Sequence, residues 1–235
     1  LESDNSTLLK TRRNKLFKSG YAIPFDYVSD ERYHRLIKTI VTDYLPKISD
    51  WRLLLMEIVL KLLMSRGKIS LKANASPGSY VVAYQRSEMD IDPLLEDVFG
   101  EIVNLRQLAP SERDIETLGQ LNRLEIPWVK GQDFLGLAYM SLSQIKTRKR
   151  TGSYYTPRYL VDDLTSEIME YLLSEGSFCR NLSTLRICDP CAGSGNFLVA
   201  LFFKLRDALR NQGYSDKQAE EILLGQVLYG NDIDP

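Results

Sequence analysis

Leu185-Arg-Ile-Cys188 runs directly into Asp189-Pro-Cys-Ala-Gly-Ser-Gly195, and from Asn196 to Leu209 the residues Phe197, Leu198, Leu201, Phe202 and Leu205 recur at helical spacing. The first stretch has the apolar content of a short strand, and the alternating glycines after it make a tight turn that opens a helix. A second amphipathic segment follows at Ser215 to Leu224. Gln226-Val-Leu-Tyr-Gly230 then reads as another strand, ending in Asn231-Asp-Ile-Asp-Pro235. The order strand, glycine-rich turn, helices, strand is one right-handed βαβ unit of an open parallel sheet.

Upstream the pattern changes. Lys146-Thr-Arg-Lys-Arg150 precedes Thr151-Gly-Ser-Tyr-Tyr-Thr-Pro157, where Thr156 and Pro157 read as a cap and first helical residue. The helix Arg158 to Leu173 that follows should carry Leu160, Leu164, Ile168, Met169 and Leu172 inward. Before it, Asp30 to Arg66 is helical, with two helices packing together and Ser49-Asp50 as a start. Ala75 to Ser79 is a turn, and Tyr80-Val-Val-Ala-Tyr84 has the β-branched and aromatic content of a short strand or apolar loop. Asp92-Pro93 opens a helix to about Leu105, and further helices fit 111 to 124 and 131 to 145. The expected architecture is a mostly α N-terminal domain, residues 1–145, followed over 146–235 by the start of an α/β Rossmann-like domain with a truncated parallel sheet.

The composition fits a globular chain. Of 235 residues, 44% are hydrophobic and 26% charged, enough apolar content for a core or two. Thirty Lys and Arg balance 31 Asp and Glu, for a formal net charge of -1, so an anionic partner would have to be met by a local patch. No apolar run reaches the roughly 18 residues of a membrane span, and the opening residues lack a signal segment. Three cysteines are too few for a disulfide framework. The chain reads as cytoplasmic, without a membrane partner.

A turn of alternating glycines after a parallel strand lets a ligand come close to the backbone, over the strand end and the next helix N-terminus. A dinucleotide site would need a third glycine where Leu198 stands. Asp189 at the strand end would repel a pyrophosphate but attract a ligand bearing an ammonium and a sulfonium. Asp232, at the end of the next strand, is suited to accept from two ribose hydroxyls. An acidic turn with a ribose-binding acid points to S-adenosylmethionine.

Gly152-Ser-Tyr-Tyr-Thr-Pro157, Asp189-Pro-Cys-Ala-Gly-Ser-Gly-Asn-Phe197 and Gly230-Asn-Asp-Ile-Asp-Pro235 resemble motifs X, I and II of amino-group DNA methyltransferases. Their order is that of the gamma group, which includes adenine-N6 enzymes of type I and type IIG restriction-modification systems. Gln132 to Leu142 followed by basic residues is similar to what precedes motif X there. The resemblance covers about 131–235. It implies S-adenosylmethionine as cofactor, with Tyr155, Thr156 and Pro157 about its methionine carboxylate and Asp189 on its amino group. Pro190, Cys191, Ala192, Gly193, Gly195 and Asn196 would line the methionine, Asp232 would bind ribose, and Ile233 would lie beside adenine. Phe197 more simply packs the helix onto the sheet. The implied partners are DNA and the specificity or restriction subunits of such a system, with Lys146, Arg148, Lys149 and Arg150 as candidate contacts to DNA phosphates.

The Asn/Asp-Pro-Pro-Tyr/Phe tetrapeptide, which in these enzymes meets the flipped target base, does not occur in the sequence. The chain is therefore expected to be the N-terminal part of a longer enzyme, cut within its second domain and inactive alone, with no catalytic residue of its own. The rival to an enzyme part is a helical module that binds DNA or a subunit and keeps only a vestigial cofactor pocket. Cys188-Asp-Pro-Cys191 resembles a thioredoxin-type site superficially, but Ala-Gly-Ser-Gly separates the second cysteine from its helix. A zinc site would need Cys179 and the distant His34, and no metal site is expected; no Glu-x-Lys nuclease signature occurs.

Overall fold

The structure, a computed structural model, describes residues 23–25, 27–75, 78–102, 104–129, 131–143, 156–174 and 184–232. Helices dominate among these residues, and two small two-stranded sheets accompany them.

Helix α1, Glu31–Thr39, starts where the Asp30 carboxylate accepts from the Arg32 N–H, and it widens into a π turn at Ile40–Tyr44. Helix α2, Trp51–Ser65, starts in the same way at Asp50, within the expected Ser49-Asp50 pair. Its Leu53, Leu54, Met56, Ile58 and Leu60 are all buried, as befits a helix that is apolar nearly all round and sits at the centre of a core. The two helices are joined by a shared partner, Phe134–Leu142: Tyr33 of α1 packs on Phe134 at 4.8 Å and Trp51 of α2 on Tyr139 at 5.8 Å between ring centroids.

Between α2 and this later helix lie strand β1, Ile69–Leu71, helix α3, Tyr80–Gln85, and strand β2, Met89–Ile91. The strands pair antiparallel with Ile69 opposite Ile91 and Leu71 opposite Met89. Tyr80 to Tyr84 is thus a helix and not a strand or loop. Its N-terminal N–H groups are taken by Ser79 and by Glu57 of α2, which outweighs the weak helix preference of two valines. Helix α4, Pro93–Asp97, ends sooner than expected, in a π turn, and a 3₁₀ turn at Leu105–Gln107 follows. Helix α5, Glu112–Leu121, carries a reciprocal capping box between Ser111 and Asp114. Helix α6 is Phe134–Leu142, capped by Asp133.

The Asp114 carboxylate is buried and accepts from the Ser111 and Ser49 amides at 2.9 and 2.8 Å and from both serine hydroxyls at 2.7 and 2.8 Å. Burial alone would raise its pKa, but these bonds to the ionised form outweigh it and hold it below the ordinary carboxylate value. A depressed folded-state pKa stabilises above the unfolded pKa of about 4 and is lost as pH falls through the folded value. Asp114→Asn is therefore expected to destabilise the chain at about pH 7, with the gap to wild type closing in acid. Urea unfolding followed at both pH values checks this, and a gap that widens in acid would contradict it.

A second apolar cluster is formed by helix α7, Arg158–Ser174, strand β3, Ile187–Asp189, helix α8, Asn196–Arg210, helix α9, Asp216–Ile222, its π-turn extension Leu223–Val227, and strand β4, Leu228–Gly230. Strands β3 and β4 pair in parallel, with Ile187 opposite Leu228 and Asp189 opposite Gly230. Helix α7 packs on α8 through Met169 and Leu172, but its inner stripe is Val161, Thr165, Met169, Leu172. Leu160, Leu164 and Ile168, expected inward, are 38%, 39% and 37% exposed. The helix is turned by about one residue from the sequence reading. Thr165 tolerates burial because its hydroxyl donates to the Val161 carbonyl at 2.7 Å, and Lys204 of α8 clamps the same rotation by donating to the Asp162 carbonyl and the Ser166 hydroxyl. Among the described residues no helix is long and apolar enough to cross a membrane.

Candidate cofactor site

Strand β3 delivers Asp189 to the start of the glycine-rich turn, where its Oδ1 accepts from the Cys191 N–H at 3.1 Å. The parallel pairing continues past β4: the Asn231 N–H donates to the Asp189 carbonyl, and the Ala192 N–H donates to the Asn231 carbonyl, both at 2.9 Å. The next residue, Asp232, turns its carboxylate back over the turn, where Oδ2 accepts from the Gly193 N–H at 2.7 Å. Motif-I-like and motif-II-like residues, far apart in sequence, are thereby one connected unit at the carboxyl ends of two parallel strands. Gly230 makes that closeness possible, since a Cβ there would stand 2.8 Å from Leu198 Cδ1 and 3.1 Å from Ala192 Cβ.

Gly193 and Gly195 have φ of +53° and +79°, a left-handed conformation that side-chain-bearing residues adopt at a cost of about 1–2 kcal/mol. A Cβ on either would meet nothing within 4 Å, so both glycines border open space. Gly195 is followed by the first turn of α8, whose leading Asn196 is buried with its amide Nδ2 unpartnered. An orphaned buried donor beside an open, acid-rimmed turn fits a ligand that brings both cationic groups and an acceptor, and S-adenosylmethionine carries an ammonium, a sulfonium and a carboxylate.

Sequence reading passed over two residues here. Asp133, the cap of α6, accepts from the Gly136 N–H at 2.8 Å through Oδ1, while its Oδ2 accepts from the Ser194 hydroxyl at 2.5 Å and the Tyr27 phenol at 2.7 Å. Tyr27 also lies 2.6 Å from Ser194. Asp133 carried only the ordinary signal of a helix cap, and Tyr27 carried none. The turn is thus rimmed by three carboxylates, Asp133, Asp189 and Asp232.

Thr156 and Pro157 are half-buried and lead directly into α7. Arg158 fixes this junction by donating to the Gly131 carbonyl at 2.5 Å and pairing with Asp162 at 2.7 Å, so α7 begins beside the segment that carries Asp133. Pro190 and Cys191 are exposed. Tyr155, Ile233 and the basic residues Lys146, Arg148, Lys149 and Arg150 lie outside the described residues, as does Cys179. Cys188 and Cys191 are exposed free thiols. His34 is engaged through Nε2 with the Val28 carbonyl at 2.8 Å and edge-on with Phe25. Among the described residues no group of three or more His, Cys, Asp or Glu is placed to hold a metal ion.

Comparison with curated proteins and with solved structures gives no match. Comparison with family models gives one that covers the turn, both acidic strand ends, α6 and α7: residues 130–235 match the model described as N-6 DNA Methylase, so this part of the chain is similar to that family.

Proposed function

We propose that residues 130–235 are the S-adenosylmethionine-binding part of a DNA adenine-N6 methyltransferase, the modification component of a restriction-modification system, built on the start of a Rossmann-like sheet. The observation that carries this reading is the union of Asp189, the open Gly193–Gly195 turn and Asp232 through the Gly193 N–H, within the stretch that matches the N-6 DNA methylase family. The cofactor supplies a methyl group on a positively charged sulfur, ready for transfer to a nucleophilic amine.

The chain's own residues bind and orient. In this reading Asp189 holds the ammonium, its position set by its bond to the Cys191 N–H, and Asp232 accepts from the ribose. Asn196 Nδ2 and the Thr156–Pro157 junction face the carboxylate end, and the backbone from Pro190 to Gly195 lies along the methionine. Three carboxylates close to one turn repel one another, and a cationic ligand relieves that repulsion. DNA is the substrate, with the basic run at 146–150 as a candidate phosphate contact.

Titration calorimetry of the 235-residue chain with S-adenosylmethionine tests the reading. Binding is expected, and Asp232→Ala should weaken it by roughly tenfold, equivalent to about 1.4 kcal/mol. Asp232→Asn, which keeps an acceptor for the Gly193 N–H, should lose less. A well-folded chain that gives no heat would favour an interaction module without a cofactor. Incubation with labelled cofactor and DNA is expected to give no methylation, because the sequence holds no Asn/Asp-Pro-Pro-Tyr/Phe tetrapeptide to receive the target amine. Clear methylation would overturn that part.

A further inference from the structure

The turn's third outward connection is neither to its own strand nor to β4. Ser194 leaves the turn and meets Tyr27 and Asp133, which lie 167 and 61 residues earlier in the chain. Tyr27 is 4% exposed and belongs to the first apolar cluster together with Val28, Tyr33 and Phe134. Asp133 caps α6, whose Phe134, Leu137 and Ala138 are buried in the same cluster. Both partners of Ser194 are therefore mounted on packed structure, whereas Ser194 and Gly193 are exposed.

The geometry of the three oxygens is closed. Tyr27 and Ser194 supply two hydroxyl protons, and Asp133 supplies an acceptor that both can reach at 2.7 and 2.5 Å. The backbone allows this meeting only because position 136 is glycine: a Cβ there would collide with the Asp133 carboxylate, the Tyr27 phenol and the Ser194 hydroxyl together. Burial, and next the Asp133 charge, push the Tyr27 phenol up, so it stays a proton donor across the physiological range.

We infer that Tyr27 and Asp133 are positioning residues of the cofactor site: acting through Ser194, they hold the glycine-rich turn in its open shape and make cofactor affinity depend on the N-terminal helical region. This rests on the reading of the turn as a cofactor site. Glycines lose more conformational freedom on ordering than other residues, so a turn with Gly193 and Gly195 gains affinity when it is ordered before the ligand arrives. Asp133 also adds a third negative charge to the turn, through its bond to Ser194.

The test compares the 235-residue chain with Tyr27→Phe, Ser194→Ala, the double variant and Ser194→Thr. Two readouts are taken: S-adenosylmethionine affinity by calorimetry, and amide hydrogen exchange at Gly193, Gly195 and Asn196 in the free chain. Each single loss of a hydroxyl should weaken binding roughly tenfold. The double variant should lose little more than either single, because the two hydroxyls serve one network. Ser194→Thr, which keeps the hydroxyl, should bind nearly as wild type, and Tyr27→Phe should speed exchange in the turn. A purely structural Tyr27 would lower the melting temperature while leaving affinity and turn exchange unchanged, and that result overturns the inference. Should the wild-type chain bind no cofactor, the functional reading falls. Exchange then decides separately: faster exchange in Tyr27→Phe and Ser194→Ala supports the hold on the turn, and unchanged exchange removes it.

Discussion

Replacing Glu57 with Ala should lower the unfolding free energy of the helical region by about 3–5 kcal/mol, because a buried side chain is truncated to a cavity and several buried donors lose their acceptor at once. Glu57 is fully buried in α2, an unusual place for a carboxylate, and its two oxygens are saturated by donors. Oε2 accepts from the Ser79 hydroxyl at 2.7 Å and the Val81 N–H at 2.9 Å; Oε1 accepts from the Tyr80 N–H at 2.7 Å and the Asn122 amide at 2.5 Å. One side chain thus closes the N-terminus of α3 and ties it to the C-terminal cap of α5. Lys61, one turn along α2, donates to the Asn122 carbonyl at 2.6 Å, and burial pulls its pKa down. Truncation to Ala strands the donors that converge on the site and leaves a cavity, so desolvation and packing losses act together. Glu57→Gln is nearly isosteric but turns one acceptor into a donor among donors, so it should cost less than Ala and still exceed about 1 kcal/mol. Both tryptophans, Trp51 and Trp128, precede α6 and lie in the helical region, so their fluorescence during urea unfolding reports on it selectively. A loss under about 1 kcal/mol for Glu57→Ala would mean that water replaces the carboxylate cheaply, against the burial described here.

Glu57 also shows where sequence reading stops. Helix starts are legible at Asp30, Asp50 and the Ser111–Asp114 box, where a cap and its amide lie within three residues of each other. Tyr80 to Tyr84 is helical against its local β-branched content because its decisive partner, Glu57, sits 23 residues upstream. The pair β1 and β2 escaped notice for a different reason. Strands of three residues are too short for an alternating pattern to stand out. In α7 the period was right and the phase wrong, because Val161, Thr165, Met169 and Leu160, Leu164, Ile168 are adjacent stripes of similar spacing. Thr165 takes a core position in the observed stripe because its hydroxyl is satisfied by the Val161 carbonyl.

The turn was legible because its chemistry is contiguous: an acid, alternating glycines and a helix within a dozen residues, and a second acid at the next strand end. Its support was not. Asp133 and Tyr27 reach Ser194 only once α6 has folded against the first apolar cluster, and no spacing rule connects positions 27, 133 and 194. Local motifs therefore mark the strand ends and the turn between them, while the side chains bonded to Ser194 of that turn are brought there by tertiary packing.

Gly136→Ala converts that distinction into a measurement. Alanine is the better helix former by about 1 kcal/mol, so on propensity alone the change in α6 should stabilise. The tertiary contacts predict the opposite. The added methyl would occupy the point where Asp133 Oδ2, the Tyr27 phenol and the Ser194 hydroxyl converge, and two of these three groups are fixed on packed elements. Overpacking of this kind costs about 1–3 kcal/mol, and here the cheapest relief is to expel Ser194, the exposed member. With three oxygens within 3 Å of the added methyl the overpacking cost belongs at the upper end of that range, so the expected result is a net destabilisation of about 2 kcal/mol by tryptophan fluorescence, after the helix gain is subtracted, together with at least a roughly tenfold loss of S-adenosylmethionine affinity. Adding Ser194→Ala to Gly136→Ala should recover part of the stability by removing one clashing oxygen, yet leave affinity low because the turn has still lost its hold. Unchanged or raised stability in Gly136→Ala would show that helix propensity prevails and that the three oxygens do not share the space described. Destabilisation with wild-type affinity would separate packing at α6 from cofactor binding and confine Asp133 to its role as a helix cap.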